Sequence, residues 1–103
     1  MGTTPPRLRL PRAEDSPLRY PPGTLGPLAA LGVGDAVLGV DEQDVESAFA
    51  VVSVSAGDAP GTEDLLDRDP VSGVLRIVIR TGAYRSASGT YEEVRVLTLE
   101  PRA

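Results

Sequence analysis

Asp67 and Asp69 set two carboxylates at i and i+2, followed by the Ser72 hydroxyl and the turn-forming Gly73. Hard cations such as calcium take oxygen ligands at spacings of this kind. A twelve-residue calcium loop needs a further acid two residues on and a bidentate Glu at its end, and Val71 and Arg76 stand near those places instead. The better expectation is a solvated acidic turn that holds no metal. A second acid cluster, Asp41-Glu42-Gln43-Asp44, has hairpin-loop spacing and nothing to bury it, so loop charges in water are expected there as well. Glycosidic chemistry would need two acids held across a pocket, one of them with a raised pKa, and a core this small leaves little room for a cleft.

The other routes to catalysis close by elimination. The chain has no histidine, no cysteine and no lysine, and its ten basic residues are all arginine. It therefore lacks an imidazole to carry protons, a thiolate nucleophile or ligand, and an amine for a Schiff base. A serine nucleophile would have no base to activate it. Gly32-Val33-Gly34 lacks the third glycine and the preceding strand of a dinucleotide fingerprint. Leu31–Val37 instead resembles the Val-Gly-Asp-x-Val phrase that leads into a strand in many small β barrels, which implies only the turn. Leu66-Asp67-Arg68-Asp69 resembles the Leu-Asp-Arg-Glu segment of cadherin repeats, but their Asp-x-Asn-Asp-Asn linker has no counterpart here. The expectation is a non-enzymatic chain without cofactor.

Binding surfaces remain. Tyr84-Arg85-Ser86-Ala87-Ser88-Gly89-Thr90-Tyr91 puts two tyrosines and an arginine around small residues at a hairpin tip. Tyr and Arg anchor interfaces, and Ser and Gly conform around them. Nucleic acid is not an expected partner: the pI is about 4.6, there is no Trp and one Phe, and no basic stripe is interleaved with aromatics. Arg76, Arg80, Arg85 and Arg95 are expected to pair with carboxylates. A membrane is not expected either, since the densest apolar stretch, Ala48–Val52, is far too short to cross one. Arginines interleaved with prolines near the N-terminus, with no apolar run after them, do not read as a secretion signal. A soluble protein, cytoplasmic or virion-associated, is the expectation.

These side chains must be positioned by one domain of 103 residues. Charge divides the chain: residues 1–34 carry a net +2, residues 35–69 a net −9, and residues 70–103 a net +2. Such asymmetry marks an acidic patch for a basic partner, or the blocks interleave in space and the charges mix; interleaving is the expectation for a β fold. Seven of the ten prolines fall in residues 1–27, which excludes a central strand or a helix interior there. Leu8, Leu10, Leu18 and Tyr20 nevertheless make this stretch too apolar for a disordered tag. It reads as an extended arm, with Arg7–Leu10 as an edge strand, lying over its own core or over a neighbouring subunit.

Strands are expected over Asp35–Asp41, Ser47–Ser55, Val74–Thr81 and Tyr91–Leu99, with hairpin loops between each pair. Leu25–Leu31 reads as one or two helical turns, and Thr62–Leu66 as the opening of a short helix capped by Thr62 within an acidic excursion at 56–73. Pairing Ile77 with Val96 and Ile79 with Val94 would place Arg80 beside Glu93 on the outer face. Leu97 and Leu99 are then out of phase, which requires a bulge or cover on both faces.

The fold class expected is all-β: a five-to-six-stranded barrel or sandwich over residues 28–103, with the Pro-rich arm 1–27 and at most one short helix. The function expected is structural, a protein that binds copies of itself or a larger scaffold and forms an oligomer. Leu8, Leu10, Leu18, Tyr20, Tyr84, Arg85 and Tyr91 would make the contacts. An arm attached to a small β core is similar in plan to small virion-assembly proteins such as capsid decoration or head–tail joining proteins. The alternative is an acidic regulatory or inhibitory module whose residues 35–69 occupy a basic site on a partner.

Overall fold

The computed structural model describes residues 4–57 and 61–102, so Asp58–Pro60 of the acidic excursion and the first three residues of the arm lie outside it. The chain is all-β. Seven strands, β1 (Arg7–Arg9), β2 (Leu18–Tyr20), β3 (Ala36–Val40), β4 (Glu46–Gly57), β5 (Asp64–Arg68), β6 (Leu75–Arg85) and β7 (Thr90–Pro101), form one sheet in the order β1-β3-β4-β7-β6-β5-β2. All pairs are antiparallel except β1 with β3. This is a single curled sheet rather than a sandwich of two, with seven strands where five or six were expected, two of them beyond the five placed from sequence.

Those two strands, β2 and β5, pair with each other. The prolines flanking Leu18–Tyr20 disguise β2. The acids of 62–67 read locally as a helix start, but Asp64–Arg68 is a strand, because pairing with β6 lets Leu66 face Ile77 with no exposed surface left. Tertiary pairing outweighs local propensity here. The Pro-rich residues expected to form an arm instead supply both edge strands of the sheet, β1 and β2, and residues 10–17 bridge the two edges. Arg12 reaches Glu42 on the β3–β4 loop, and Ser16 Oγ donates to Asp67 while accepting from the Arg68 amide.

The concave face holds the core: Leu8, Leu10, Leu25, Leu28, Val37, Phe49, Val51, Leu66, Leu75, Ile77, Ile79, Leu97 and Leu99. A 3₁₀ turn at Gly26–Ala30 covers β6 and carries Leu28 inward. It is approached through a tight turn in which Thr24 N–H donates to Pro21 O and Gly23 takes a φ of 88°. Glycine accepts that left-handed geometry without strain, and Pro22 presets the residue before it. The helical segment expected over Leu25–Leu31 is therefore present, as a 3₁₀ turn one residue shorter at each end.

The register of β6 with β7 differs by one from the expected pairing. Ile77 faces Leu97, Ile79 faces Arg95, and Arg80 lies opposite Val94, with Glu93 opposite Thr81. The reason is burial on both faces: Leu97 and Leu99 belong to the core, while Val78, Arg80 and Val94 are buried on the other side. A sheet covered on both faces relaxes the in–out alternation from which register is read.

The charge blocks do interleave. Arg7–Glu46, Arg12–Glu42 and Arg19–Glu63 each join an arm arginine to a carboxylate of the 35–69 segment. Such exposed pairs each contribute at most about 1 kcal/mol.

Candidate interaction surface

β6 and β7 are the strands that outgrow the sheet. Among the described residues, β4 accompanies β7 as far as Val94, opposite Gly57, and β5 accompanies β6 over Leu75–Val78. Beyond Thr81 and Glu93, among the described residues, β6 and β7 pair with each other alone, so the hairpin leaves the domain as a two-stranded ribbon. An isolated pair of strands has little stability of its own. We expect amide hydrogen exchange in residues 82–92 to be the fastest of any paired strand in the molecule, measured on the native protein at neutral pH; protection equal to that of Leu75–Ile79 would contradict this.

A bulge sets the faces of the ribbon. Between Thr81 and Tyr84, β6 spends two residues where β7 spends one, and Gly82 at φ 77° makes that possible. Tyr84 is thereby placed opposite Tyr91. The rings meet edge to face, with centroids 5.2 Å apart and planes inclined by 61°. This arrangement is worth about 0.5–1.5 kcal/mol beyond area burial. Tyr84 still shows 52% of its surface to solvent. The tip closes at Ser86–Gly89, where Gly89 N–H donates to Arg85 O.

Strand alternation places Tyr91, Glu93, Arg95, Leu97 and Leu99 on one face of β7. The core face thus runs outward from two buried leucines, through Arg95 and Glu93, to the tyrosine pair. Thr81 stands opposite Glu93 and diagonal to Arg95. The Arg95 Nε and the Thr81 Oγ1 are both buried and have no hydrogen-bond partner. Arg80, by contrast, donates through Nε to Glu63 O. Among the described residues neither Arg95 nor the exposed Arg76 has a carboxylate partner, against the expectation that these arginines pair with carboxylates.

The seven residues expected at an interface do not form one surface. Leu8 and Leu10 are buried in the protein's own core, and Leu18 and Tyr20 are half-buried against it on the opposite edge of the sheet. Tyr84, Arg85 and Tyr91 share the projecting ribbon, with Arg85 exposed at its tip. Thr81 and Arg95 were not singled out as site residues from sequence. The available signal was the alternation of Arg95 with Leu97 and Leu99, which puts a guanidinium in line with core leucines.

The acid clusters serve the chain's own turns. Asp41 Oδ1 accepts the Gln43 and Val45 amides inside the β3–β4 loop, and Asp35 accepts the Gly32 amide before β3. Asp69 Oδ1 accepts the Val71 and Ser72 amides and so shapes the β5–β6 turn. The bond from the Ser72 amide, then that from Val71, holds the Asp69 carboxyl below its ordinary value of 3.8. A depressed folded-state pKa means that the unfolded chain binds the proton more tightly. The contribution of Asp69 is therefore complete above the ordinary value and is lost as pH falls through the folded one. We expect its carboxyl to titrate below the exposed aspartates in a carbon-detected NMR titration, and Asp69→Asn to remove that part of the acid-side loss of stability. Among the described residues, no group of three or more metal-capable side chains converges, and no helix is long and apolar enough to cross a membrane. No protein-family model, curated protein or solved structure matches the chain.

Proposed function

We propose that this is a non-catalytic assembly protein that binds a protein partner, a copy of itself or a larger scaffold, through one face of the β6–β7 ribbon. The observation carrying the reading is the ribbon: a hairpin that, among the described residues, outruns both neighbouring strands and ends in an exposed, preformed Tyr84–Tyr91 pair beside Arg85. Rigid aromatic side chains supply contact area at low entropic cost, and interface hot spots concentrate in Tyr, Trp and Arg. The arm draws less support as a second contact, because Leu8 and Leu10 are buried within the chain. The acidic-module reading also draws less support, since Asp35, Asp41, Glu42, Glu46, Glu63, Asp64, Asp67 and Asp69 all bond within the chain.

Sedimentation velocity across a wide concentration range, together with the size of the native complex in extracts of the source cells, tests the proposal. Wild type should run in a discrete species larger than one chain. The Tyr84→Ser/Tyr91→Ser double variant should keep its melting temperature within a few degrees and run as a single chain. A wild-type protein that is monomeric in both settings, or an assembly that the double variant leaves intact, would contradict it. Neighbouring genes for capsid or tail proteins would place the scaffold in a virion.

A further inference from the structure

We infer that Arg95, with the Thr81 hydroxyl on the strand beside it, receives a carboxylate from an acidic segment of the partner polypeptide; this rests on the ribbon face being the docking surface. Three observations on that face carry it. Arg95 Nε is buried without a partner, and no ion pair or hydrogen bond engages its guanidinium among the described residues. Thr81 Oγ1 is likewise buried and unsatisfied, and the 79↔95 and 81↔93 pairings set the two side chains on one cross-strand diagonal. Diagonal neighbours lie within reach of a long side chain. The third is position: both residues sit between the closed core and the Tyr84–Tyr91 pair, so a segment laid along the ribbon passes over them.

Buried polar atoms are rarely left unpaired, and two orphans together at the base of an exposed feature imply a ligand that completes them. A guanidinium offers five donors in a planar fork that fits a carboxylate. Glu93 lies two positions before Arg95 on the same face of β7, and among the described residues no ion pair joins the two. It opposes an incoming carboxylate instead, so removing its charge should strengthen binding.

The probe is sodium acetate at constant ionic strength, with inorganic phosphate as the second arm, read by NMR on the full chain. The Arg95 Nε–H and the backbone amides of Thr81 and Glu93 should shift saturably with acetate, while the side chains of exposed Arg9, Arg76 and Arg102 drift without saturation. Phosphate also forks onto a guanidinium, but its second charge is opposed by Glu93 on the same face, so it should bind less well than acetate. Arg95→Gln should weaken the acetate response about tenfold, as read at the Thr81 and Glu93 amides. Thr81→Val should weaken it less, and Glu93→Gln should strengthen it. An arginine awaiting a ligand contributes nothing to the free fold, so Arg95→Gln should melt at or above the wild-type temperature; a purely structural arginine would lower it.

Equal, unsaturable drift at every arginine, or a lowered melting temperature with no change in acetate binding, would overturn the inference. A preference for phosphate would overturn the choice of carboxylate. Loss of acetate binding in Arg95→Gln with assembly intact would overturn the partner's use of this site and leave the ribbon reading standing. Saturable acetate binding lost in Arg95→Gln, in a protein whose assembly the Tyr84→Ser/Tyr91→Ser variant leaves intact, would overturn the ribbon reading and with it the partner as the source of the carboxylate.

Discussion

Asp64→Ala should destabilise the protein by about 3–5 kcal/mol, since removing a buried acceptor strands every donor it held at roughly 1–3 kcal/mol each. The Asp64 side chain has no solvent exposure. Its Oδ2 accepts the amides of Gly23 and Leu25 at 3.1 and 3.0 Å, and its Oδ1 accepts the Arg80 amide at 2.9 Å. One carboxylate therefore fastens the turn that brings Leu25 and Leu28 over the core to the middle of β6. Bonds to a charged acceptor are among the stronger ones in proteins. Such a loss is a large fraction of the stability of an ordinary domain, and the melting temperature should fall by at least about 12 °C. Asp64→Asn should fall between wild type and alanine, because the amide keeps one acceptor oxygen and turns an N–H₂ toward the other donors. Thermal and urea unfolding followed by circular dichroism checks both. A cost under about 1 kcal/mol for the alanine variant would show that the clamp is not what holds the arm in place.

The second large effect is expected at Gly39, at a site with no polar chemistry. A Cβ built there would lie 2.6 Å from Phe49 Cε1 and 2.7 Å from Leu10 Cδ2. The glycine is the slot into which an arm side chain and the one phenylalanine pack. Gly39→Ala should cost about 1–3 kcal/mol through overpacking, and Gly39→Val more. Leu10→Val in the same background should recover part of the loss, because it withdraws one of the two clashing side chains. That recovery is the informative half of the experiment, since it occurs only if Leu10 of the same chain fills the slot. Additive losses in the double variant, in the monomer, would mean that the arm lies elsewhere in solution.

These two sites show where the sequence was readable and where it was not. β3, β4, β6 and β7 were legible because their aliphatic residues alternate, and their joining loops carry Gly, Asp and Ser. The edge strand β1 was legible from Leu8 and Leu10 standing between arginines. β5 was not, because Thr62-Glu63-Asp64 has the local chemistry of a helix start and only the distant amides of Gly23, Leu25 and Arg80 make Asp64 a buried strand residue. No local pattern announces a contact between positions 39 residues apart. The β6–β7 register slipped by one because Val78 and Val94 are buried on the face where polar residues were expected.

The interaction surface divides in the same way. Tyr84, Arg85 and Tyr91 stood out by residue type, but the bulge at Gly82 that faces the tyrosines toward each other depends on the three-dimensional pairing. Arg95 was hidden by the register. Read with Val94 and Val96 inward, it belongs to the solvent face; read with Leu97 and Leu99 inward, it becomes a cation at the margin of the core. The burial of Leu8 and Leu10 within the chain itself is hidden for a related reason. Leucines among prolines signal burial, and only the sheet order shows that they are buried in the same chain.

Contact between a partner and the ribbon is the central claim. A photo-reactive phenylalanine analogue at position 84, compared with one at position 71, measures this most directly, because Val71 is 95% exposed on the β5–β6 turn and serves as an equally accessible control. Irradiated at native abundance, the position-84 protein should cross-link to one discrete protein species or to another copy of itself, and the link should disappear in the Tyr91→Ser background. Cross-linking that is equally diffuse from positions 84 and 71, or absent from both, would contradict it.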